Sequence, residues 1–345
     1  MVSVVSLPVS CLFFAFSGAI AWYAMANRHR PEKEKHLRNE VLVAFLFAMA
    51  GGLYPFIFVQ TGVSNSVQGA LYLISDGLLF GEMGVWGATF LKGRLACRDP
   101  EVRRERDYET FRKRYLAEYK YDFGKDVKRK LLHVLPVAVI FFFWSLGAWL
   151  EGRGTLARFG LTQPAFSFWL IVTVGYGFVL MFATADLARL TGHGHLLPGW
   201  AVRWFTSGMK ADELDTFISS ESMVLSFVPF VFTPFPVFAS VASITAVADA
   251  AASLVGKRFG RHKFFETSQK TIEGYVAGGF ACFVLVLLMC GLYRSAWIDW
   301  VTAVAMAVFA TFLFLSVDAF AKHVSDNILN PLLCGAGMVL AIALF

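Results

Sequence analysis

The sequence predicts an all-α polytopic membrane protein, a transmembrane helix bundle of about ten spans with its N-terminus outside. Three observations lead there. The 345 residues are 57% hydrophobic and only 16% charged, with a mean hydropathy of +0.58, too apolar for a water-soluble fold. The apolar residues come in windows of about 20, and a chain in lipid must satisfy its backbone within each span, which selects helices. Lysine and arginine fall almost wholly into alternate loops.

Taken in order, the spans are read at 7–26, 41–60, 69–91, 131–150, 165–188, 222–235, 237–255, 274–293, 297–320 and 330–345. The sixth is short and ends between Pro234 and Pro236; the tenth is also short. With the N-terminus outside, the cytoplasmic loops are 27–40, 92–130, 189–221, 256–273 and 321–329, carrying 5, 14, 3, 5 and 1 Lys/Arg. That is 28 of 31, the others being Arg153, Arg158 and Arg294, so the orientation is set by the positive-inside rule. In the first span Ala24-Met25-Ala26 resembles a cleavage site, but no Lys or Arg precedes Arg28. The span is therefore read as an uncleaved helix. The five cysteines stand singly, without the spacing of a zinc site or a disulfide framework.

Three portions follow: a three-span segment at 1–91, a charged cytoplasmic connector at 92–125, and a seven-span segment at 126–345. The connector carries both signs of charge densely, as in Glu101 to Asp107, and reads as a solvated, partly helical stretch attracted to anionic lipid. It contains no nucleic-acid-binding module, and the net charge of +6 is explained by topology, so a nucleic-acid partner is not expected.

The chemistry-bearing residues gather in the third portion. Asp126 to His133 opens the fourth span, and Arg129 and His133, four apart, share one helix face. Snorkelling to headgroups accounts for Arg129 and the lysines, Lys130 included, but less well for His133. Asp186 and Arg189 are placed to neutralise each other within the fifth span. Glu221 precedes the proline-bounded pair of spans, where broken helices present groups to a polar cavity.

Asp249 is the sharpest signal. It lies in an apolar run among Ala246, Ala248, Ala250, Ala251 and Ala252, and an uncompensated carboxylate at that depth costs several kcal/mol. Such an acid faces a cation or a cavity. Ser253 and Lys257 extend the same face, and Gly256, Lys257, Arg258 and Gly260 then bound a basic loop. Lys270 and Thr271 precede the next helix, whose N-terminus favours an anion. The order is not that of a P-loop. An acid, a basic loop and a Lys-Thr pair together suit a polyphosphate with a hard cation such as Mg²⁺. Asp318, followed by Asp326, Asn327 and Pro331, offers a second source of carboxylates beside a helix started by the proline.

The set Arg129-Lys130-x-x-His133, Asp249-Ala-x-Ala-x-x-x-Gly256-x-x-Phe259-Gly260, Lys270-Thr271-x-Glu273-Gly274 and Asp326-Asn327-x-x-x-Pro331 resembles the polyprenol kinase superfamily. That group includes dolichol kinase, phytol kinase and the CTP-dependent diacylglycerol kinase of yeasts. The resemblance spans about 126–345. Two departures keep the charge: Ala248-Asp249 replaces Gly-Asp, and Asp318 replaces a Glu. The Asp-Ala…Gly…Lys-Thr-x-Glu-Gly core is also similar to the CTP:phosphatidate cytidylyltransferases, whose C-terminal Lys-Arg and Lys-Asp pairs this chain lacks.

The resemblance implies an integral-membrane enzyme that transfers the γ-phosphate of CTP to the hydroxyl of a membrane-embedded lipid alcohol at the cytoplasmic face. It implies Mg²⁺ held by Asp249, Asp326, Asn327 and Asp318, with the nucleotide held by Lys257, Arg258, Gly260, Lys270, Thr271 and Glu273. The catalytic set is Asp249, His133, Arg129, Lys130 and Glu221, in which Arg129 clamps the transferred group and His133 or an acid takes the hydroxyl proton. A cytidylyltransferase making a CDP-lipid, or a transporter of an anionic solute, would draw on the same charges.

Overall fold

The computed structural model describes residues 4–29, 36–59, 61–118, 123–209, 213–263, 270–321 and 324–345. In chain order the helices are α1 (Leu7–Asn27), α2 (Leu37–Leu53), α3 (Asn65–Ala96), α4 (Pro100–Glu105), α5 (Tyr108–Glu118), α6 (Phe123–Gly152), α7 (Thr155–Arg158) and α8 (Gln163–Leu190). They continue as α9 (Gly199–Gly208), α10 (Ser219–Phe227), α11 (Phe235–Ser243), α12 (Asp249–Phe259), α13 (Ile272–Leu292), α14 (Trp300–Phe320) and α15 (Asp326–Leu344). Among the described residues no strand forms; one isolated antiparallel bridge joins Lys263 to Thr271.

The all-α expectation holds. Among the described residues eight helices are long and apolar enough to cross a membrane: Val4–Asn27, Leu37–Phe56, Arg129–Gly152, Gln163–Leu190, Phe235–Phe259, Ile272–Leu292, Trp300–Phe320 and Asp326–Leu344. The other two expected spans fall on α3, whose apolar run is diluted by glycines, Asp76 and Glu82, and on the shorter apolar stretch Ser219–Phe232. Pro234 parts that stretch from α11 as its N-cap, and Pro236 sits in the first turn of α11, where the missing proline N–H breaks no helical bond.

Two boundaries differ from the sequence reading. The helix carrying Asp249 runs on to Phe259, so Gly256, Lys257 and Arg258 are its last turn and not a loop. Cations are favourable there, beside the unsatisfied carbonyls. The last helix begins at Asp326, capped by the Ser325 hydroxyl on the Asn327 N–H, so Pro331 sits inside it and does not start it.

The chain forms two compact units that cut across the linear division at 91 and 126. The first comprises Met1–Arg129 with Phe143–Glu221, the second Lys130–Phe142 with Ser222–Phe345. In the first, α1 and α2 form a hairpin in which Phe13 packs on Phe47 and Tyr176, and the Tyr176 hydroxyl donates to the Ala50 carbonyl at 2.8 Å. Polar side chains join α3 to α8: Ser75 and Thr173 are 2.8 Å apart, and the Trp169 indole donates to Ser75. Such bonds let polar side chains pair between helices within lipid.

The connector is less free than its composition implies. From α5, the Tyr115 hydroxyl donates to the Met209 carbonyl at 2.7 Å, Arg112 forks onto both oxygens of Asp215 at 3.2 and 3.0 Å, and Tyr108 donates to the Leu214 carbonyl. Arg189, 1% exposed, completes this clasp. It donates to Asp186 at 2.8 Å, to the Thr216 carbonyl at 2.6 Å, to the Glu213 carbonyl and Tyr108 hydroxyl at 3.3 Å, and to the Leu214 carbonyl. Asp186 in turn accepts the Ile218 N–H at 2.6 Å. The pair read as self-neutralising thus also fixes a turn of backbone.

In the second unit α13 packs against α11, α12 and α14, and α15 packs against α11 and α14. Small residues set the spacing: a Cβ on Gly274 would lie 2.5 Å from the Ala252 carbonyl oxygen, and one on Gly278 2.7 Å from the Ala252 side chain. Glycines four apart let α13 approach α12 backbone to backbone.

Candidate functional site

The site of the second unit is built on the continuous helical run Phe235–Phe259. Between α11 and α12 it passes through a π turn, Ile244–Ala248, in which each turn takes up an additional residue. Asp249 is the first residue after that turn. Its carboxylate is met by the Lys130 ammonium from α6, an ion pair whose side chains are 7% and 14% exposed for Lys130 and Asp249. An acid at this depth needs a counter-charge, and the lysine supplies it. His133, one turn further along α6, is 1% exposed. The side chains of Asp126 and Lys128, from the same motif, lie outside the described residues.

Downstream of Asp249, Lys257 and Arg258 are exposed at the end of α12, the guanidinium of Arg258 lying 5.9 Å over the Phe259 ring. Gly260 follows. A Cβ there would lie 2.2 Å from the Gly256 carbonyl oxygen and 2.4 Å from Thr271, so the glycine is required by the close approach of the chain to Thr271. Residues 264–269 lie outside the described residues.

Thr271 caps α13, accepting the Gly274 N–H at 3.3 Å while donating to the Gly256 carbonyl at 3.4 Å. Glu273, in the first turn, accepts from the His262 ring at 2.7 Å and from the His262 backbone N–H at 3.2 Å, and the Ile272 N–H returns to the His262 carbonyl at 2.9 Å. These contacts close the 260–272 excursion at its base. Lys270 reaches Asp318 on α14 at 2.6 Å and also donates to the Asp318 carbonyl. Sequence reasoning passed over His262, because nothing in its spacing marks Glu273 as its partner.

At the head of α15, Asp326 is half-buried and accepts the Asn327 N–H at 2.9 Å; Asn327 and Asn330 are 5% and 3% exposed. Lys322 and His323, in the same run, lie outside the described residues. Helix α15 packs against the π turn, which places it on the element that carries Asp249.

Two candidates belong to the other unit. Arg129 is its last residue before Lys130, 8% exposed. Glu221, in the first turn of α10, is fully buried near Asp186 and Arg189, and neither of its oxygens has a hydrogen bond among the described residues.

Among the described residues no group of three or more His, Cys, Asp or Glu is arranged to hold a metal ion. Asp249 and Asp318 each carry a lysine instead. This donor set fits a Mg²⁺ that takes most of its ligands from phosphate oxygens and water and one or two carboxylates from the chain. It does not fit a cation caged by protein.

A comparison with known families matches residues 116–317 to the cytidylyltransferase family. The match includes Arg129, Lys130, His133, Glu221, Asp249 and the 256–274 region, and stops one residue before Asp318. No curated protein and no solved structure matches the chain.

Proposed function

The chain belongs to the cytidylyltransferase family, a match covering more than half its length, and from that premise we propose that this integral-membrane enzyme acting with CTP is a lipid-alcohol kinase. It would transfer the γ-phosphate of CTP to the hydroxyl of a long-chain isoprenoid alcohol or diacylglycerol at the cytoplasmic face. The observation that supports the reading is the ion pair of Lys130 with Asp249, which joins the helix α6 that also carries His133 to the acid that follows the π turn.

In this mechanism the bond between the γ-phosphorus and the β,γ-bridging oxygen breaks as the alcohol oxygen bonds to phosphorus, CDP leaves, and the hydroxyl proton passes to a base. His133, buried beside Lys130 on α6, is suited to take it. Lys257, Arg258 and Lys270 would neutralise the phosphates as point charges and forks, and Thr271 would hold the α13 N-terminus in place beside them. Asp249, with Asp318 and Asp326 as further carboxylates, would hold Mg²⁺. When bound with the nucleotide, Mg²⁺ supplies neutralisation of the charge that builds on the transferred group. Positioning carries most of such a reaction.

A second reading fits the family match equally: a cytidylyltransferase would use the same lysines but transfer CMP to a phosphorylated lipid, releasing pyrophosphate. The test is incubation of the purified protein, Mg²⁺, a mixed pool of lipid alcohols and phosphatidate with CTP labelled at the γ- or the α-phosphate. Label entering the lipid from the γ-position supports the kinase; label from the α-position replaces it with the cytidylyltransferase.

A further inference from the structure

In the first unit, α5, the end of α8 and α9 enclose a cleft of about 180 Å³ that the proposed chemistry does not use. Tyr108, Phe111, Leu197 and Val202 give it apolar walls, and Arg106, the residue after α4, and Arg114 on α5 also line it. A wider mouth of about 550 Å³ shares Glu105 and Arg114 with it and adds Arg104 and Thr110.

The cations here are not all equivalent. Arg112 is spent on Asp215, and the N–H groups of Arg189 go to Asp186, Tyr108 and three carbonyls. The guanidinium groups of Arg106 and Arg114 make no hydrogen bond or ion pair among the described residues. Glu101 and Glu105 stand against Arg104, Arg106 and Arg114 in the cleft and its mouth, leaving one positive charge in excess at the rim of an apolar recess. Guanidinium forks of this kind match the two free oxygens of a phosphodiester.

The neighbouring helix says where the ligand comes from. Gly199 and Val202 on the cleft wall belong to α9, whose Trp200 is 54% exposed one residue away. An exposed indole on a short helix suits the headgroup layer of a membrane. We propose that this cleft binds the headgroup of an anionic phospholipid, with Arg106 and Arg114 on the phosphate and the glyceryl carbons against Tyr108 and Phe111.

Occupancy has a structural consequence. Tyr108 both lines the cleft and, with Arg189, holds the Leu214 carbonyl, so a ligand pressing on Tyr108 tightens α5 on the 213–218 turn that leads into α10. The lipid is thus a regulator of local order.

The test titrates the full-length protein in neutral detergent with dioctanoyl phosphatidylglycerol, and in parallel with dioctanoyl phosphatidylcholine and with inorganic phosphate. The thermal midpoint and hydrogen exchange of the 213–218 amides are read throughout. Phosphatidylglycerol is expected to raise the midpoint and protect those amides, with Arg106→Gln and Arg114→Gln each weakening its apparent affinity about tenfold. Arg106→Lys is expected to keep part of the affinity, and Lys113→Gln, on α5 beside Arg114, all of it. Unchanged affinity in the Arg106→Gln/Arg114→Gln double variant overturns the site. Equal protection by inorganic phosphate or by phosphatidylcholine overturns the anionic lipid as its occupant.

Discussion

Lys130 and Asp249, 119 positions apart in the chain, form an ion pair at the point where a π turn hands over to α12. The pair is nearly buried, so its members are not independent. Removing one leaves the other as an uncompensated charge, which costs about 3–5 kcal/mol in buried pairs, whereas removing both restores neutrality. Lys130→Met is therefore expected to lower the thermal midpoint more than Lys130→Met/Asp249→Asn. Activity separates from stability here: both Asp249→Asn and the double variant are expected to lose turnover in the labelled-CTP assay. Substantial turnover in Asp249→Asn would remove that carboxylate from the chemistry.

Arg189 gives a contrasting case in which the charge is structural. Its guanidinium holds Asp186 and the carbonyls of Glu213, Leu214 and Thr216 at 1% exposure. Arg189→Met strands Asp186 and those carbonyls together, and a loss of about 3–5 kcal/mol is expected. The measurement is chemical denaturation of the purified variant against the wild type. Adding Asp186→Asn should recover part of the loss; no recovery would mean that the carbonyls, not the carboxylate, account for it.

The spacing of α12 and α13 depends on Gly274. Its substitution by Ala would put a Cβ 2.5 Å from the Ala252 carbonyl oxygen and 2.9 Å from the Gly256 Cα, both backbone atoms. Overpacking of this kind costs about 1–3 kcal/mol. Thermal unfolding should show a lowered midpoint for Gly274→Ala, while Gly291→Ala on the same helix, with open space around it, should leave it unchanged or slightly raised.

Asp299 links stability to pH. It caps α14 by accepting the Thr302 N–H at 2.8 Å, and that backbone hydrogen bond holds its carboxyl below the usual carboxylate value. A group whose folded pKa is depressed stabilises the fold above its unfolded pKa, and the contribution disappears as pH falls through the folded value. The midpoint difference between wild type and Asp299→Ala should be present at neutral pH and close as the solution is acidified through the carboxylate range. A difference independent of pH would make the cap a matter of shape alone.

Much of this architecture was legible from hydropathy, since lipid permits few alternatives to a helix. The positions read less well are those where side chains decide. Pro331 looked like a helix start because proline favours the first turn, but the Ser325 hydroxyl captured the Asn327 N–H and started α15 earlier. The connector looked solvated because its charges dominate its composition; Tyr108, Arg112 and Tyr115, at i, i+4 and i+7, form one face that grips Met209, Leu214 and Asp215. That spacing was visible, but its partner was not. In the site, the residue types around Asp249 were readable, while the choice of Lys130 as its counter-ion was not, because nothing local encodes a pairing between distant helices.

The π turn at Ile244–Ala248 has a geometric consequence for what lies beyond it. A regular α-helix turns by about 100° per residue, so a stretch that accommodates one residue more per turn shifts the phase of everything downstream. Asp249, Ser253 and Lys257 therefore point where they do only while the π turn takes up that surplus residue. If the run relaxed into an ordinary α-helix with all its residues kept, the carboxylate would swing about a quarter-turn off its lysine, whereas deleting one residue between Ile244 and Ala248 would close the defect and leave it on nearly the same face.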